Sequence, residues 1–453
     1  MRTQRTNPPD EVRVRQGGLP AAVWRWHFYA AFLVVPFLIL QAVTGSVYLF
    51  KPQLDPLWQD EKYLVEPGGN RVSYDRQLES VREHSPSYRV VAVDVHADPA
   101  RSTTFLLRPE GDTATPEEDS PLSAYVNPYT GEYLGSIQEK SRVSEFAKRI
   151  HGTLLLGDAG SVVIELGASW ALVMIVTGLY LWWPRKGWRL WGTFLPRWGA
   201  RGRTFWKDMH QVTGVYLSLF AVFFIVTGLP WAIIWGAGLQ RVQSAMGQVA
   251  PPLAGERPHH GPGSGPAGAT TVDHGHHHAL SLEEAVQTAR SQNLPGLLRV
   301  FPPPAGGSVY RVQNLPPRTR DRQTLLINGA EGTVVARRQW SDMPILSRIV
   351  NTGVDLHEGR FFGWPNQLLN LLVALSLMWM AGTGVIMWWK RRPQGQLAAP
   401  PRVRLASWPA GVMAMVLGLS FFLPTVGASI LLIWIFDRLV APRVRWLRAA
   451  ATS

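Results

Sequence analysis

Four long apolar runs constrain this chain more than any other feature. Residues 23–50, 161–183, 206–235 and 366–389 each hold ~20 or more largely apolar residues, enough for a helix to cross ~30 Å of hydrocarbon. A segment in lipid must satisfy its own backbone hydrogen bonds, so such runs are committed to helices. Trp24, Trp26, Trp182, Trp183, Trp206, Trp388 and Trp389 stand at their ends, where an amphipathic ring prefers the headgroup layer. The first run is too long for a signal-peptide core and no small-residue cleavage site follows it, so it reads as an uncleaved anchor.

A net charge of +13 could point to nucleic acid, but its distribution argues otherwise. Basic residues gather in the segments that flank the apolar runs: Arg2, Arg5, Arg13, Arg15 and Arg25 at the start, Arg185 to Lys207 between the second and third runs, and Lys390, Arg391 and Arg392 after the fourth. By the positive-inside rule these segments are cytoplasmic and no nucleic acid partner is implied. The expected order is a cytoplasmic tail (1–22), a span (23–50), an extracytoplasmic domain (51–160), a span (161–183), a basic loop (184–205), a span (206–235), a second extracytoplasmic domain (236–365), a span (366–389) and a basic loop (390–407). A fifth apolar stretch, 408–436, has basic flanks on both sides and Pro424 near its middle. It is either one kinked span or a hairpin, and the basic tail 437–453 favours the hairpin. The localisation expected is the bacterial inner membrane, with membrane lipid as a partner. With no cysteine, a disulfide framework and thiolate-held iron–sulfur clusters are excluded.

The chain repeats itself. His27 precedes Thr44-Gly45 by 17 residues and His210 precedes Thr227-Gly228 by 17; His151 precedes Thr177-Gly178 by 26 and His357 precedes Thr383-Gly384 by 26. WWPRK and WWKRR then follow at matching offsets. The outer segments repeat as well: a polar helical start, β-branched runs, and an N-x-x-x-G turn at Asn127 to Gly131 and Asn328 to Gly332, the signature of a hairpin. Each outer domain is expected to be a small α+β unit. Between the copies, 251–279 is rich in Gly, Pro and His and lacks the apolar residues needed for a core. Its His274, His276, His277 and His278 are either a loose metal site or a tolerated low-complexity insertion.

Ionisable residues carried into spans usually mark function. On this topology His27 and His210 share the cytoplasmic side, and His151 and His357 share the outer side. Two imidazoles converging from different helices suit a metal ion, a proton relay or the axial positions of a haem. A closed structural metal site wants four ligands, and a relay would recruit carboxylates, of which Glu165 is the main one within the spans. The axial pair of a b-type haem fits best. The Thr-Gly pairs either let a flat macrocycle approach the backbone or let helices pack closely. His84 and His96 have no counterparts in the second copy and read as solvated surface residues.

The segments WRWHFYAAFLVVPFLILQAVTG, RIHGTLLLG, DMHQVTGVYLSLFAVFFIVTG, LHEGRFFG and AYVNPYTGEYLG together resemble the PepSY-associated transmembrane family, often described as iron-regulated membrane proteins, which includes ferric-siderophore reductases. The resemblance covers nearly the whole chain. It implies two b-type haems ligated by His27, His151, His210 and His357, and electron flow from inside to a ferric chelate or siderophore outside. The chain lacks the fused flavin-reductase domain of some relatives, so a quinol or a separate cytoplasmic reductase is the expected donor. Arg142, Lys148, Arg149 and Arg360 are candidate substrate contacts by their position in the sequence. Two other readings are a non-enzymatic membrane protein that binds or regulates a periplasmic partner, and a siderophore or metal permease. The spans are poor in midplane polar groups, which counts against the permease.

Overall fold

A computed structural model describes residues 18–57, 60–110, 121–185, 187–249, 253, 280–304, 307–392 and 409–436. The candidate metal residues His274, His276, His277 and His278 lie outside the described residues, as do most of 1–22 and 390–407 and all of 437–453.

Helix α1 (Leu19–Leu49) is followed by the short α2 (Lys51–Leu57) and α3 (Asp60–Tyr63), then by α4 (Tyr74–His84) and strands β1 (Tyr88–Val95), β2 (Thr103–Pro109), β3 (Leu122–Val126) and β4 (Tyr133–Gln138). Next come α5 (Val143–Thr153), α6 (Gly157–Trp182), α7 (Gly202–Gly228) and α8 (Ile233–Ala245). A second set follows: α9 (Leu282–Ser291), β5 (Leu297–Phe301), β6 (Val309–Leu315), β7 (Gln323–Asn328), β8 (Val334–Gln339) and α10 (Ile345–His357). Helices α11 (Trp364–Trp389), α12 (Ala410–Phe422) and α13 (Pro424–Ile435) end the described chain.

Among the described residues, α1, α6, α11 and the stretch Gly202–Trp231 are long and apolar enough to cross a membrane, which makes this a multi-pass membrane protein. The third run does not continue as one helix to residue 235. It breaks at a 3-10 turn, Leu229–Trp231, because Pro230 has no N–H to give a longer helix. Helices α12 and α13 pass the same test together, but the chain bends by 117° between them. Leu423, held out of the helical region by the following Pro424, makes that bend.

The chain divides into two compact units. One contains Met1–Val43, His151–Ala237 and Leu372–Ser453, and in it small residues decide where helices meet. The Phe37 ring of α1 lies over Gly167 of α6, where a Cβ would come within 2.6 Å of it. On α7, Gly214 gives the same room to Met380 of α11. Helix α13 docks on α6 through polar contacts, Thr425 with Ser169 (3.0 Å) and Trp170 with Ser429 (3.2 Å). Leu423 and Val426 pack there with Leu172 and Leu229.

The other unit contains Thr44–Ile150 and Gly238–Leu371. The two four-stranded sets do not form separate sheets. They join as one eight-stranded antiparallel sheet in the order β4-β3-β2-β1-β5-β6-β7-β8. At the seam Val93 faces Val300 and Val95 faces Leu298, and between them Asp94 takes a two-pronged bond from Arg299 (2.6 and 2.7 Å). Helices α4 and α9 cover one face over a shared core that includes Val81, Val93, Phe105, Val286, Val300 and Leu325.

These two helices also cap each other. The Asp75 carboxylate of α4 accepts from the N–H groups of Leu282 and Glu283 (3.0 and 3.2 Å), and Glu283 of α9 accepts from the N–H of Tyr74 (2.8 Å). Each helix N-terminus thus receives a negative charge from the other, where the exposed N–H groups and the helix dipole favour one.

Candidate functional site

Two histidines are held within the helices of the first unit by the same device. His27 on α1 meets Thr177 on α6, Nδ1 to Oγ1 at 3.0 Å, and His210 on α7 meets Thr383 on α11 at the same distance. Each threonine hydroxyl donates its one hydrogen to a carbonyl of its own helix, Val173 or Met174 for Thr177 and Met380 for Thr383. With that hydrogen on the carbonyl, the hydroxyl oxygen is an acceptor for an Nδ1–H, and a ring that donates from Nδ1 keeps the Nε2 lone pair for a ligand.

The glycine after each threonine serves the ring itself. A Cβ on Gly178 would sit 3.2 Å from His27 Cε1, and one on Gly384 would sit 3.5 Å from His210 Cε1. At Gly178 and Gly384 it is the histidine ring of the facing helix that comes close to the backbone. Thr227 is turned to its own helix, its hydroxyl bonding to the Phe223 carbonyl (2.7 Å), while Thr44 is buried.

Next to His210 on the same helix, Asp208 is fully buried and held by Arg197 through two side-chain bonds (2.7 and 2.8 Å) and by the Arg197 N–H (3.2 Å). This ties the loop before α7 to the turn that carries the histidine. Farther along, Glu165 on α6 is buried and accepts from the N–H groups of Ile234 and Trp235 in the first turn of α8 (3.0 and 3.3 Å). It acts as a helix cap.

His151 ends α5. Its carbonyl accepts from Gln41 Nε2 (3.1 Å), and burial holds its imidazole far below the ordinary range, at about 4, so the ring is neutral. The chain then turns sharply through Leu154 and Leu155, both with positive φ (50° and 61°). Such a pair of non-glycine residues is strained. The turn is so tight that a Cβ on Gly160 would fall 1.6 Å from the Thr153 carbonyl oxygen.

His357 ends α10 in the other unit. There Asn370 donates to the carbonyls of Leu356 and His357 (2.8 and 2.9 Å), and Asn366 also donates to Leu356 (3.0 Å). Both asparagines are buried. The reading from sequence missed them; the polar NQLLN opening of an otherwise apolar run was the available signal.

A cavity of about 900 Å³ lies within the second unit, among α2, α3, α5 and strands β1, β2, β3 and β5. Arg142, Lys148 and Arg149 line it, whereas Arg360 is occupied elsewhere, by Asp355 (3.0 Å) and Glu358 (2.6 Å). The Arg142 guanidinium is buried at its floor and donates to the phenols of Tyr63 and Tyr125 and to Glu139 (3.1 Å). Burial, and next to it Tyr63, pushes the Tyr125 phenol well above its usual range, so that it stays protonated. His96, expected to be solvated, instead lines this cavity; burial first, and the Arg101 charge second, hold it below the ordinary imidazole range. His84 is exposed and stacks on Tyr133.

The donor set tests what the histidines could hold. Among the described residues no group of three or more His, Cys, Asp or Glu converges, so a metal ion that needs four protein ligands finds no site there. The two imidazoles, each with Nδ1 held by a threonine hydroxyl, are donors that a prosthetic group needing two nitrogen ligands would take.

No curated protein matches the chain significantly. A family model described as the PepSY-associated TM region matches residues 24–391. That stretch carries all four matched histidines and both strand sets, and the chain belongs to the PepSY-associated transmembrane family.

Proposed function

We propose that this protein is a two-haem, b-type electron-transfer protein of the bacterial inner membrane that reduces a ferric chelate, of the siderophore kind, on the periplasmic side. The observation that carries the reading is the duplicated His–Thr pair, His27 with Thr177 and His210 with Thr383. A single buried histidine has many uses; two held at Nδ1 by the same threonine contact on matched helices suit one iron. The second haem is assigned from the matched spacing in the sequence to His151 and His357. When bound, the haems would supply one-electron transfer, which is enough to release iron because ferrous iron is held less tightly by hard oxygen ligands.

The chain's own residues do the rest. Thr177 and Thr383 fix the tautomer and orientation of the rings, and Gly178 and Gly384 make room for them. Apolar packing of α1, α6, α7 and α11 keeps water away. The Asp208–Arg197 pair holds the base of α7 in place, next to the side from which a quinol or a cytoplasmic reductase would deliver electrons under the positive-inside rule. An internal duplication accounts for the mirrored sheet order and the equal histidine offsets.

Oxidised and dithionite-reduced visible spectra of the purified protein test this. A Soret band, a sharp α-band on reduction and two haems per chain by pyridine haemochrome are expected, and His210→Ala should lose one haem. Absence of both bands rejects the proposal. Depletion of the same haem by His210→Ala and His151→Ala rejects the pairing.

A further inference from the structure

The cavity in the sheet unit is charged in one sense. Seven lysine and arginine side chains line it against four carboxylates, an excess of three positive charges. All four carboxylates are already in ion pairs: Asp94 with Arg299, Glu139 with Arg142, Asp55 with Arg142 and Lys51, and Glu145 with Lys148. Low-dielectric walls focus such a field into the cavity. The floor adds neutral donors and π surface: Tyr63, whose ring carries Arg101 at 4.8 Å and Arg142 at 5.6 Å, and the protonated Tyr125. A volume of about 900 Å³ is that of a small-molecule site.

The two halves of the unit differ at the matching positions. Each half ends its sheet in a short 3-10 turn; the residue after that turn is Arg142 in the first half and Met343 in the second. Three and two positions before the terminal histidine stand Lys148 and Arg149 in the first half, but Val354 and Asp355 in the second. Six of the seven basic side chains therefore come from the first half, and the seventh, Arg299 of β5, is paired with Asp94.

We propose that this cavity binds the chelate itself and selects it by charge, taking anionic, oxygen-rich complexes of the catecholate or carboxylate kind in preference to neutral hydroxamates. Oxygen anions meet guanidinium and ammonium donors, and the tyrosines supply hydrogen bonds and a ring face. The inference rests on the proposed reduction only for the identity of the ligand as a metal chelate; the binding itself needs no electron transfer.

The test uses the full chain in zwitterionic nanodiscs and gallium(III), which is not reduced under these conditions, in place of iron. A trianionic gallium complex of a hexadentate tris-catecholate and a neutral gallium tris-hydroxamate are titrated calorimetrically. The anionic complex should bind at least about tenfold more tightly, and raising the salt should weaken it. Lys148→Gln with Arg149→Gln, both on the exposed side of α5, should cost about a further tenfold for the anion alone, and the charge-conserving pair Lys148→Arg and Arg149→Lys should restore binding. Equal affinity for the two complexes, or an unchanged anion affinity in the double glutamine variant, overturns the proposal. Displacement of the gallium complex by phosphatidylglycerol added to the nanodisc also overturns it, by assigning the cavity to a lipid headgroup. His210→Ala should bind the gallium complex as the parent does. Gallium binding in a chain that shows no Soret band would leave this site standing while the haem reading falls.

Discussion

Replacing Thr383 with valine keeps the shape of the side chain and deletes one oxygen. That oxygen accepts from His210 Nδ1 at 3.0 Å and is itself oriented by its bond to the Met380 carbonyl at 2.9 Å. Thr383 is fully buried, so water cannot take over as acceptor; the Met380 carbonyl, which also bonds the His210 ring, is the acceptor left, and losing the threonine bond costs about 0.5–1.5 kcal/mol. That corresponds to about a two- to thirteen-fold weaker hold on whatever Nε2 ligates, at the lower edge of the ~10–100-fold usual for deleting an outer partner of a ligating histidine. The assay is haem retained per chain against an added haem scavenger, together with the midpoint potential of the haem that His210→Ala removes. Thr383→Val should lose haem faster and shift that potential alone, and Thr383→Ser, which returns the hydroxyl, should recover both. If Thr383→Val retains haem as tightly as the parent with an unchanged potential, the threonine does not position the ring and the tautomer argument fails.

The glycines behind the two rings should behave differently. Gly178→Ala places a methyl 3.2 Å from His27 Cε1 and should shift the visible spectrum or lower haem content, whereas Gly384→Ala, at 3.5 Å from His210 Cε1, should be nearly silent; equal effects would refute this reading of the packing. In the sheet unit, Asp75→Ala removes the acceptor of two N–H groups at the start of α9 and should destabilise the unit by about 1–2 kcal/mol. Glu283→Ala removes the acceptor of one backbone N–H and of the exposed Gln287 amide and should cost about half as much by denaturant titration; a cost for Asp75→Ala within error of zero would show that the cross-capping is incidental.

What could be read from the sequence was what long or periodic signals carry. Runs of ~20 apolar residues leave a bilayer-spanning chain little choice, so α1, α6, α7 and α11 were legible. The matched histidine spacing was legible too, because equal offsets are counted without any knowledge of distance. Which partner each histidine meets was not: Thr177 lies 150 residues from His27, and only the folded bundle shows that the threonine of the facing helix supplies the acceptor. The joined sheet was hidden for a similar reason. Nothing local says that β1 will pair with β5, about 200 residues on. The continuous apolar stretch RVVAVDV, buried from Ala92 through Val95, is the pattern of an inner strand rather than an edge and was the one hint available. The cavity draws Lys51, Tyr63, Arg101, Arg142 and Arg299 from five separate segments, so no motif announces it.

The seam between β1 and β5 also imposes a schedule on biogenesis. Helices α6 and α7 lie between the two half-sheets in the chain, so the first half is synthesised and waits through two membrane insertions before its neighbour exists. During that interval β1 is an open edge, the kind of surface on which chains aggregate. Asp94 stands in the middle of that edge. A second copy of β1 would bring another carboxylate toward it, while β5 brings Arg299. The same residue that fastens the finished sheet protects the unfinished one, by making the correct strand a neighbour that neutralises its charge.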